Sequence, residues 1–159
     1  DRFSFVYDYC YYSGCIIEDG ELLRLTDRGR SLVNMEEKDA LTDVYRFWLR
    51  LYKNPIYNLP AIVHWINRLA HSWVTVASLK KVLSPYVKKF YYDTPDNILV
   101  NRVLLMMQHL GLIRVGGDQL HESTGIPEEA VVLTTFRGSQ VIKGNYVHDD
   151  ETIPLSTEP

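Results

Sequence analysis

The chain has 159 residues, of which 46% are apolar and 23% are charged, and its formal net charge is −3. A chain of this length and composition can bury the core of one domain or of two small ones, which excludes a disordered or fibrous protein. It contains no run of about 18 apolar residues, the length that a transmembrane helix needs. We therefore expect a cytoplasmic protein that does not enter a membrane.

The charges are unevenly distributed along the chain. Residues 1–44 contain 5 basic and 10 acidic side chains (−5), residues 45–114 contain 10 and 2 (+8), and residues 115–159 contain 2 and 8 (−6). A basic block in an acidic protein indicates a polyanionic partner, most often nucleic acid. The alternative is a solvated surface without a partner.

The first 33 residues predict a helix, a hairpin and a second helix. Residues 3–12 predict a helix rich in aromatic side chains, and Gly14 can take the left-handed conformation that ends it. The apolar runs on either side of Asp19-Gly20 predict a hairpin with a tight turn at this dipeptide. Thr26 is a good cap for a helix from Asp27 to about Val33.

A connecting helix is predicted at about residues 40–53, after a charged link at 35–39. Six side chains fall on one broad apolar face: Leu41, Val44, Tyr45, Trp48, Leu51 and Tyr52. Arg46, Arg50 and Lys53 fall on the other face. Such a helix can lie along phosphates on its basic side and pack between two domains, or against a second subunit, on its apolar side.

The remaining sequence predicts a helix at 61–71 with Ile62, Trp65, Ile66 and Leu69 facing inward, and then a short strand within 72–76. Thr75 can cap the next helix, on which Leu79, Val82 and Leu83 are expected to face inward. Thr94-Pro95-Asp96 is a clear helix start, and that helix is expected to run to Leu110 and stop at Gly111. Two strands then follow, around Ile113 and around Val132.

Two stretches of the chain resemble each other and a known superfamily. Residues 104–113, followed by Leu133-Thr134 and Gly138, resemble the recognition helix and wing of the winged helix-turn-helix superfamily. Residues 16–29 resemble the wing of MarR-like and PadR-like regulators, in which Leu-Thr-x-x-Gly follows the hairpin. The second copy departs from this spacing by one residue, and its loop is about 11 residues longer.

This resemblance implies a mainly α-helical protein with small β-hairpin wings, a tandem winged helix whose first copy is incomplete. The expected divisions are the end of a first winged-helix unit at 1–39, a connecting helix and linker at 40–59, a complete winged helix at 60–144 and an acidic tail at 145–159. The helices that should precede the first hairpin are missing. A piece of a larger protein is therefore the favoured interpretation, and completion of the first copy by another chain is the alternative.

The resemblance also implies that the helix at 95–110 enters the major groove of double-stranded DNA. A helical wheel places Leu99, Val103, Met106, Met107 and Leu110 on the core side and a set of polar residues on the outward side. The polar residues suited to base edges are Asn97, Asn101, Arg102 and Gln108, with His109 beside them. The expected phosphate contacts are Lys80, Lys81, Lys88, Lys89, Arg114, Arg46 and Arg50. The predicted function is non-enzymatic DNA binding within a larger regulator or DNA-maintenance factor, nucleoid-associated if it binds DNA.

Two observations favour a protein-interaction module instead. Ile98 and Leu105 fall in the centre of the outward face, and an apolar centre with a polar rim is typical of a protein interface. The wing loop carries four acidic and no basic residues: Asp118, Glu122, Glu128 and Glu129. The alternative function is thus a dimerising or partner-binding winged helix, similar to accessory subunits of chromosome-organising complexes, with Ile98, Leu105 and Trp48 at the interface. If residues 90–92 or the connecting helix cover Ile98 and Leu105, that argument fails.

Catalysis has little support in the sequence. Cys10 and Cys15 have no second Cys or His pair at metal spacing, so we expect buried apolar roles for them. The five histidines are scattered, and no nucleophile or phosphate-loop motif occurs. We expect no catalytic residue, metal, cofactor or small-molecule substrate, although a scaffold within a multidomain enzyme remains a third possibility.

Overall fold

The structure is a computed structural model that describes residues 2–117 and 125–145. Within these residues the chain is mainly helical with two small antiparallel sheets, as the sequence predicts. The helices are α1 (Arg2–Tyr12), α2 (Asp27–Val33), α3 (Glu37–Tyr52), α4 (Leu59–Leu69), α5 (Val76–Leu83), α6 (residues 95–109) and α7 (Phe136–Gly144). The strands are β1 (Ile16–Asp19), β2 (Leu22–Leu25), β3 (Val74–Thr75), β4 (Ile113–Gly116) and β5 (Val131–Thr134).

The chain divides into two compact units after Phe47, inside α3. The predicted connecting helix therefore belongs in part to each unit and begins earlier than expected, since α3 includes most of the charged link. The predicted domain limits otherwise stay predictions. The expected acidic tail lies outside the described residues except for Asn145, and so do Asp118 and Glu122 of the wing loop.

The first unit contains α1, the hairpin, α2 and the first part of α3. β1 pairs with β2 as far as Asp19 and Leu22, so the turn consists of Gly20 and Glu21, one residue later than predicted. Gly20 has φ of 61° at the first central position, where a type II′ turn favours glycine. Tyr9 of α1 packs edge-on against Phe47, with ring centroids 5.4 Å apart.

The second unit runs from α3 through α4, β3, α5, α6, β4 and β5 to α7, and β5 lies between β3 and β4 in its sheet. Thr75 and Thr94 cap α5 and α6 as predicted, accepting from backbone N–H groups three residues later at 3.1 and 3.2 Å. The core is built from every helix of this unit. Its fully buried side chains include Leu59, Ile62, Ile66, Val76, Leu79, Leu83, Leu99, Val103, Met107 and Val132. Trp65 and Val82, expected to face inward, are instead 48% and 46% exposed.

The hairpin-to-helix junction of the first unit is held by Thr26. Its hydroxyl donates to the carbonyl oxygen of Gly14 at 2.6 Å and accepts from the backbone N–H of Gly29 at 3.0 Å. The backbone N–H of Thr26 donates to the carbonyl oxygen of Cys15 at 3.0 Å. One threonine therefore ties together the end of the α1 turn, the end of β2 and the start of α2.

The second unit repeats this junction with Thr135. Its hydroxyl donates to Gly111 at 2.9 Å and accepts from Gly138 at 2.9 Å, and its backbone N–H donates to Leu112 at 3.0 Å. Gly14 and Gly111 both have φ of 73°. The counterpart of Thr26 is therefore Thr135 and not Thr134, so pairing the two Leu-Thr dipeptides was wrong.

With this pairing, both copies read Thr-x-Arg-Gly and the spacing difference before the glycine disappears. The threonine follows the helix-end glycine by 12 residues in the first copy and by 24 in the second, so the longer loop has 12 extra residues rather than 11. In both copies the last glycine touches the preceding helix end. A Cβ at Gly29 or Gly138 would lie 2.2 Å from the carbonyl oxygen of Cys15 or Leu112.

Helix α6 is not uniformly α-helical. It consists of an α-helical turn (Pro95–Asn97), a π-helical stretch (Ile98–Leu104) and an α-helical end (Leu105–His109). The N–H of Leu105 donates to the carbonyl oxygen of Val100, five residues earlier. A wheel at 100° per residue therefore fails in the centre of α6. Ile98, Val100 and Leu104 are buried although the wheel did not place them on the core side.

Candidate nucleic-acid interface

The lysines predicted to contact phosphates lie on α5 and in the loop between α5 and α6. Lys80 is already paired: its ammonium contacts the carboxylate of Glu128 and lies 3.7 Å from that of Asp96. The hydrogen bond to Glu128 is the main reason that the pKa of Lys80 is raised. The acidic loop between β4 and β5 thus reaches back to α5 through Glu128, and Lys80 is not an open phosphate site.

Lys81, Lys88 and Lys89 are exposed and pair with no carboxylate in the part of the chain that the structure describes. Lys88 places its ammonium 4.1 Å from the ring centroid of Tyr57, a cation–π contact that leaves its charge uncompensated. Lys81 also lines an open depression of about 510 Å³ between the end of α5 and the start of α6. These three lysines form the cationic part of the site.

The polar residues expected to read bases are tied to one carboxylate, that of Asp93. Arg102 donates from Nε to Asp93 Oδ2 at 2.7 Å, and Asn97 donates from Nδ2 to Asp93 Oδ1 at 2.8 Å. Asn101 donates to the side-chain oxygen of Asn97. A Cβ at Gly125, where the wing loop returns, would lie 3.4 Å from Asn101 Oδ1. Asn97, Asn101 and Arg102 of α6 are therefore held in one network with Asp93.

The other predicted contacts are spread over the molecule. Arg114 on β4 is exposed and pairs with Leu133 of β5. Gln108 is half-buried at the end of α6. Arg50 is half-buried in the second unit. Arg46 belongs to the first unit and is half-buried, with its Nε shielded from solvent. Of these four, only Arg114 has the exposure that a phosphate contact needs.

The expected protein interface is wrong for two of its three residues. Ile98 and Trp48 are each 1% exposed, and Leu105 is half-buried. Ile98 lines one small cavity with Tyr52 at the end of α3 and with Phe90. The alternative interpretation, in which the connecting helix and the Phe90 segment cover this face, is therefore correct for Ile98.

Two exposed aromatic regions were missed by the sequence reasoning. The first is the loop tip, where Tyr91 and Tyr92 are 79% and 97% exposed. The second is an apolar groove between α4 and α5, where Trp65, Val82 and Tyr86 are exposed. For the loop tip, the available signal was the run Lys-Lys-Phe-Tyr-Tyr at 88–92, which lacks helical periodicity and lies between Pro85 and Pro95.

Nothing in the described residues resembles a metal site, since no group of three or more His, Cys, Asp or Glu side chains is arranged to hold an ion there. Cys15 is buried and Cys10 half-buried, and burial raises the pKa of both thiols. No helix within residues 2–117 and 125–145 has the length and apolarity to span a bilayer. Comparison with family models, with curated proteins and with solved structures finds no match to this chain.

Proposed function

We propose that the second unit is a winged-helix module that binds double-stranded DNA through phosphate contacts, and that the first unit is the end of a second copy of the same fold. The order α4-β3-α5-α6-β4-β5 and the position of β5 between β3 and β4 support the fold. The shared threonine junction of the two units supports the duplication.

The observation that carries the DNA function is the set of exposed, uncompensated lysines at the end of α5 and in the loop after it: Lys81, Lys88 and Lys89. Residues 48–117 contain 9 Lys or Arg and 2 Asp or Glu, and both of these carboxylates, Asp93 and Asp96, face cationic side chains of the same unit. The surface that residues 48–117 leave available is therefore positive, which attracts phosphates.

The contacts inside α6 argue for phosphate binding rather than base reading. Base discrimination in the major groove needs side chains that are available for bidentate hydrogen bonds. Asn97, Asn101 and Arg102 each commit one donor to the Asp93 network, so bidentate contacts with base edges would require this network to rearrange. Binding to duplex DNA should accordingly be sensitive to salt and nearly insensitive to sequence.

Fluorescence anisotropy of the full chain with labelled mixed-sequence duplexes of about 20 base pairs, at about 50 and 200 mM salt, tests this proposal. We expect a steep loss of affinity as the salt concentration rises. When Lys81, Lys88 and Lys89 are all changed to Gln, the slope of log association constant against log salt concentration should become shallower by about 0.9 for each phosphate contact removed. Lys143→Gln, an exposed lysine at the end of α7, is the control for a charge change elsewhere. Absence of duplex binding at the lower salt concentration would refute the proposal.

A second candidate function is supported by the apolar groove between α4 and α5. Its volume is about 290 Å³, and Trp65 and Val82 line it with roughly half of each side chain exposed. An exposed apolar patch of this kind favours a protein contact. If it mediates dimerisation, light scattering should give a dimer that Trp65→Arg dissociates and Trp73→Arg, at a tryptophan of similar exposure, leaves intact. A monomer at all concentrations would exclude that role.

A further inference from the structure

We propose that the loop between α5 and α6 binds unpaired nucleotides by stacking their bases on Tyr91 and Tyr92. The backbone of Phe90 and Asp93 closes this loop with two hydrogen bonds, N–H of Phe90 to the carbonyl of Asp93 at 3.3 Å and the reverse at 2.9 Å. Tyr91 and Tyr92 form the two-residue tip between them. With 79% and 97% of their surfaces exposed, both rings are available to a ligand.

The backbone of the tip is strained. Tyr91 has φ of 51°, and within the described residues it is the only non-glycine residue with a positive φ. A bulky residue in this region costs about 1–3 kcal/mol and persists only where the surrounding structure holds it. Such residues cluster at active sites and ligand-binding sites. A glycine would form the same turn without this cost. The presence of tyrosine is therefore not explained by the turn itself.

The base of the loop is held from both sides. Asp93 is fixed by Asn97 and Arg102 of α6, and Val87 is 4% exposed. Asn58 donates its side-chain amide to the backbone carbonyl of Tyr86. The tip is thus presented on a firm support, so that binding requires little ordering of the loop.

The chemistry around the tip favours nucleotides over a protein partner. Lys88 and Lys89 immediately precede the aromatic run, and neither pairs with a carboxylate in the described part of the chain. Lysine is depleted in the centres of protein interfaces. Proteins that bind single-stranded nucleic acids instead combine exposed aromatic rings, which stack on the bases, with a cationic surface that follows the phosphate backbone. Each stacked base contributes about 1–3 kcal/mol. Paired bases are stacked on their neighbours, and so the tip selects unpaired ones.

This inference rests on the proposed nucleic-acid function, and one set of measurements separates the two. The full chain is titrated by anisotropy with labelled oligothymidine of about 20 nucleotides, with oligouridine of the same length and with the duplex used above. We expect Tyr92→Leu to weaken oligothymidine binding by roughly tenfold, which corresponds to the loss of one stacked base. Duplex affinity should stay within about twofold of that of the unchanged protein. Equal effects on the two oligonucleotides would assign the contact to the base, and an effect on oligothymidine alone would show that the site depends on the deoxyribose or on the thymine methyl group.

Three further variants control this result. Tyr92→Trp keeps a stacking ring and should retain oligothymidine affinity, whereas Tyr12→Leu, at an exposed tyrosine of the first unit, should have no effect. Tyr91→Gly removes the ring and relieves the positive φ, so it should weaken oligothymidine binding while thermal stability is unchanged or raised.

The inference is overturned, and the duplex function survives, if the tyrosine variants bind oligothymidine as tightly as the unchanged protein does. The inference is likewise overturned if the tyrosine variants weaken duplex binding and single-strand binding equally. Both proposals fail if neither oligonucleotide nor duplex binds at low salt. If Tyr92→Leu changes the molar mass of the protein in solution but not its oligonucleotide affinity, the tip mediates a contact between protein chains and the inference is overturned.

Discussion

The contact of Gly138 with the end of α6 gives the sharpest test of the repeated junction. Gly138→Ala would place a Cβ 2.2 Å from the carbonyl oxygen of Leu112, whereas ordinary contact begins at 3.4 Å. Helix α7 would have to move by about 1.2 Å, because the obstacle is backbone and cannot rotate away. Gly144→Ala is the matched control, since it lies in the same helix and its added Cβ meets nothing within 4 Å.

The expected magnitude follows from three contributions. Alanine gains about 1 kcal/mol over glycine in a helix. Displacing α7 weakens the hydrogen bond that the Thr135 hydroxyl donates to the Gly111 carbonyl and the one that it accepts from the Gly138 N–H. Each loss costs about 1 kcal/mol. Overpacking adds about 1–3 kcal/mol. The net effect is a loss of about 2–4 kcal/mol in the free energy of unfolding, with no loss for Gly144→Ala.

Thermal and urea unfolding followed by circular dichroism measure both variants. We expect Gly138→Ala to lower Tm by about 10 °C or more, using about 4–8 °C per kcal/mol for a unit of roughly 100 residues. Gly29→Ala should act in the same way on the first unit, because its Cβ would meet the Cys15 carbonyl at 2.2 Å. If Gly138→Ala is as stable as the control, the close approach of α7 to the end of α6 is wrong, and so is the structural equivalence of the two copies.

Three more predictions concern single contacts. Thr94→Ala should lower the free energy of unfolding by about 1 kcal/mol through loss of the α6 cap, measured by urea unfolding, while Thr94→Ser should restore it. Glu128→Gln should remove one of the two ion pairs of Lys80, leaving that with Asp96, and raise duplex affinity at low salt in the anisotropy assay; an unchanged affinity would mean that this pair does not face the DNA. Burial and the hydrogen bond to Asp43 raise the pKa of Tyr9 in the folded protein. The contribution of this phenol to stability is therefore complete at pH values below its pKa in the unfolded chain, and it is lost as the pH rises through its pKa in the folded protein. Stability should therefore decline above a pH of about 10, and urea unfolding of Tyr9→Phe should show a shallower decline.

Much of the secondary structure could be predicted because its causes are local. A helix cap or a tight turn depends on residues within about four positions. Thr26, Thr75 and Thr94 each begin the helix that the sequence assigned to them. The turn at Gly20 was one residue out, because strand register is fixed by cross-strand pairing as well as by the turn dipeptide.

The centre of α6 could not be predicted in this way. The helical wheel assumes one fixed rotation per residue, and seven residues from Ile98 to Leu104 depart from it. The resulting burial of Ile98 removed the main argument for a protein interface on this face. Exposure of Trp65 was missed for a related reason: an apolar residue at helical spacing faces inward only if another element covers it.

The sequence by itself determined the order of helices and hairpins and the basic block at 45–114, because these depend on short-range conformational preferences and on composition. Only the structure showed that Thr135, and not Thr134, is the counterpart of Thr26, because that assignment depends on hydrogen bonds across each junction. The tertiary structure alone decided which charges and rings are available to a ligand. Lys80 is paired with a glutamate 48 residues away, and Asp93 holds Arg102 across 9 residues, whereas the Tyr91–Tyr92 tip stands exposed beside two uncompensated lysines. Whether a charged or aromatic side chain is available to a ligand depends on which distant segments pack beside it, and a local sequence pattern does not predict that packing.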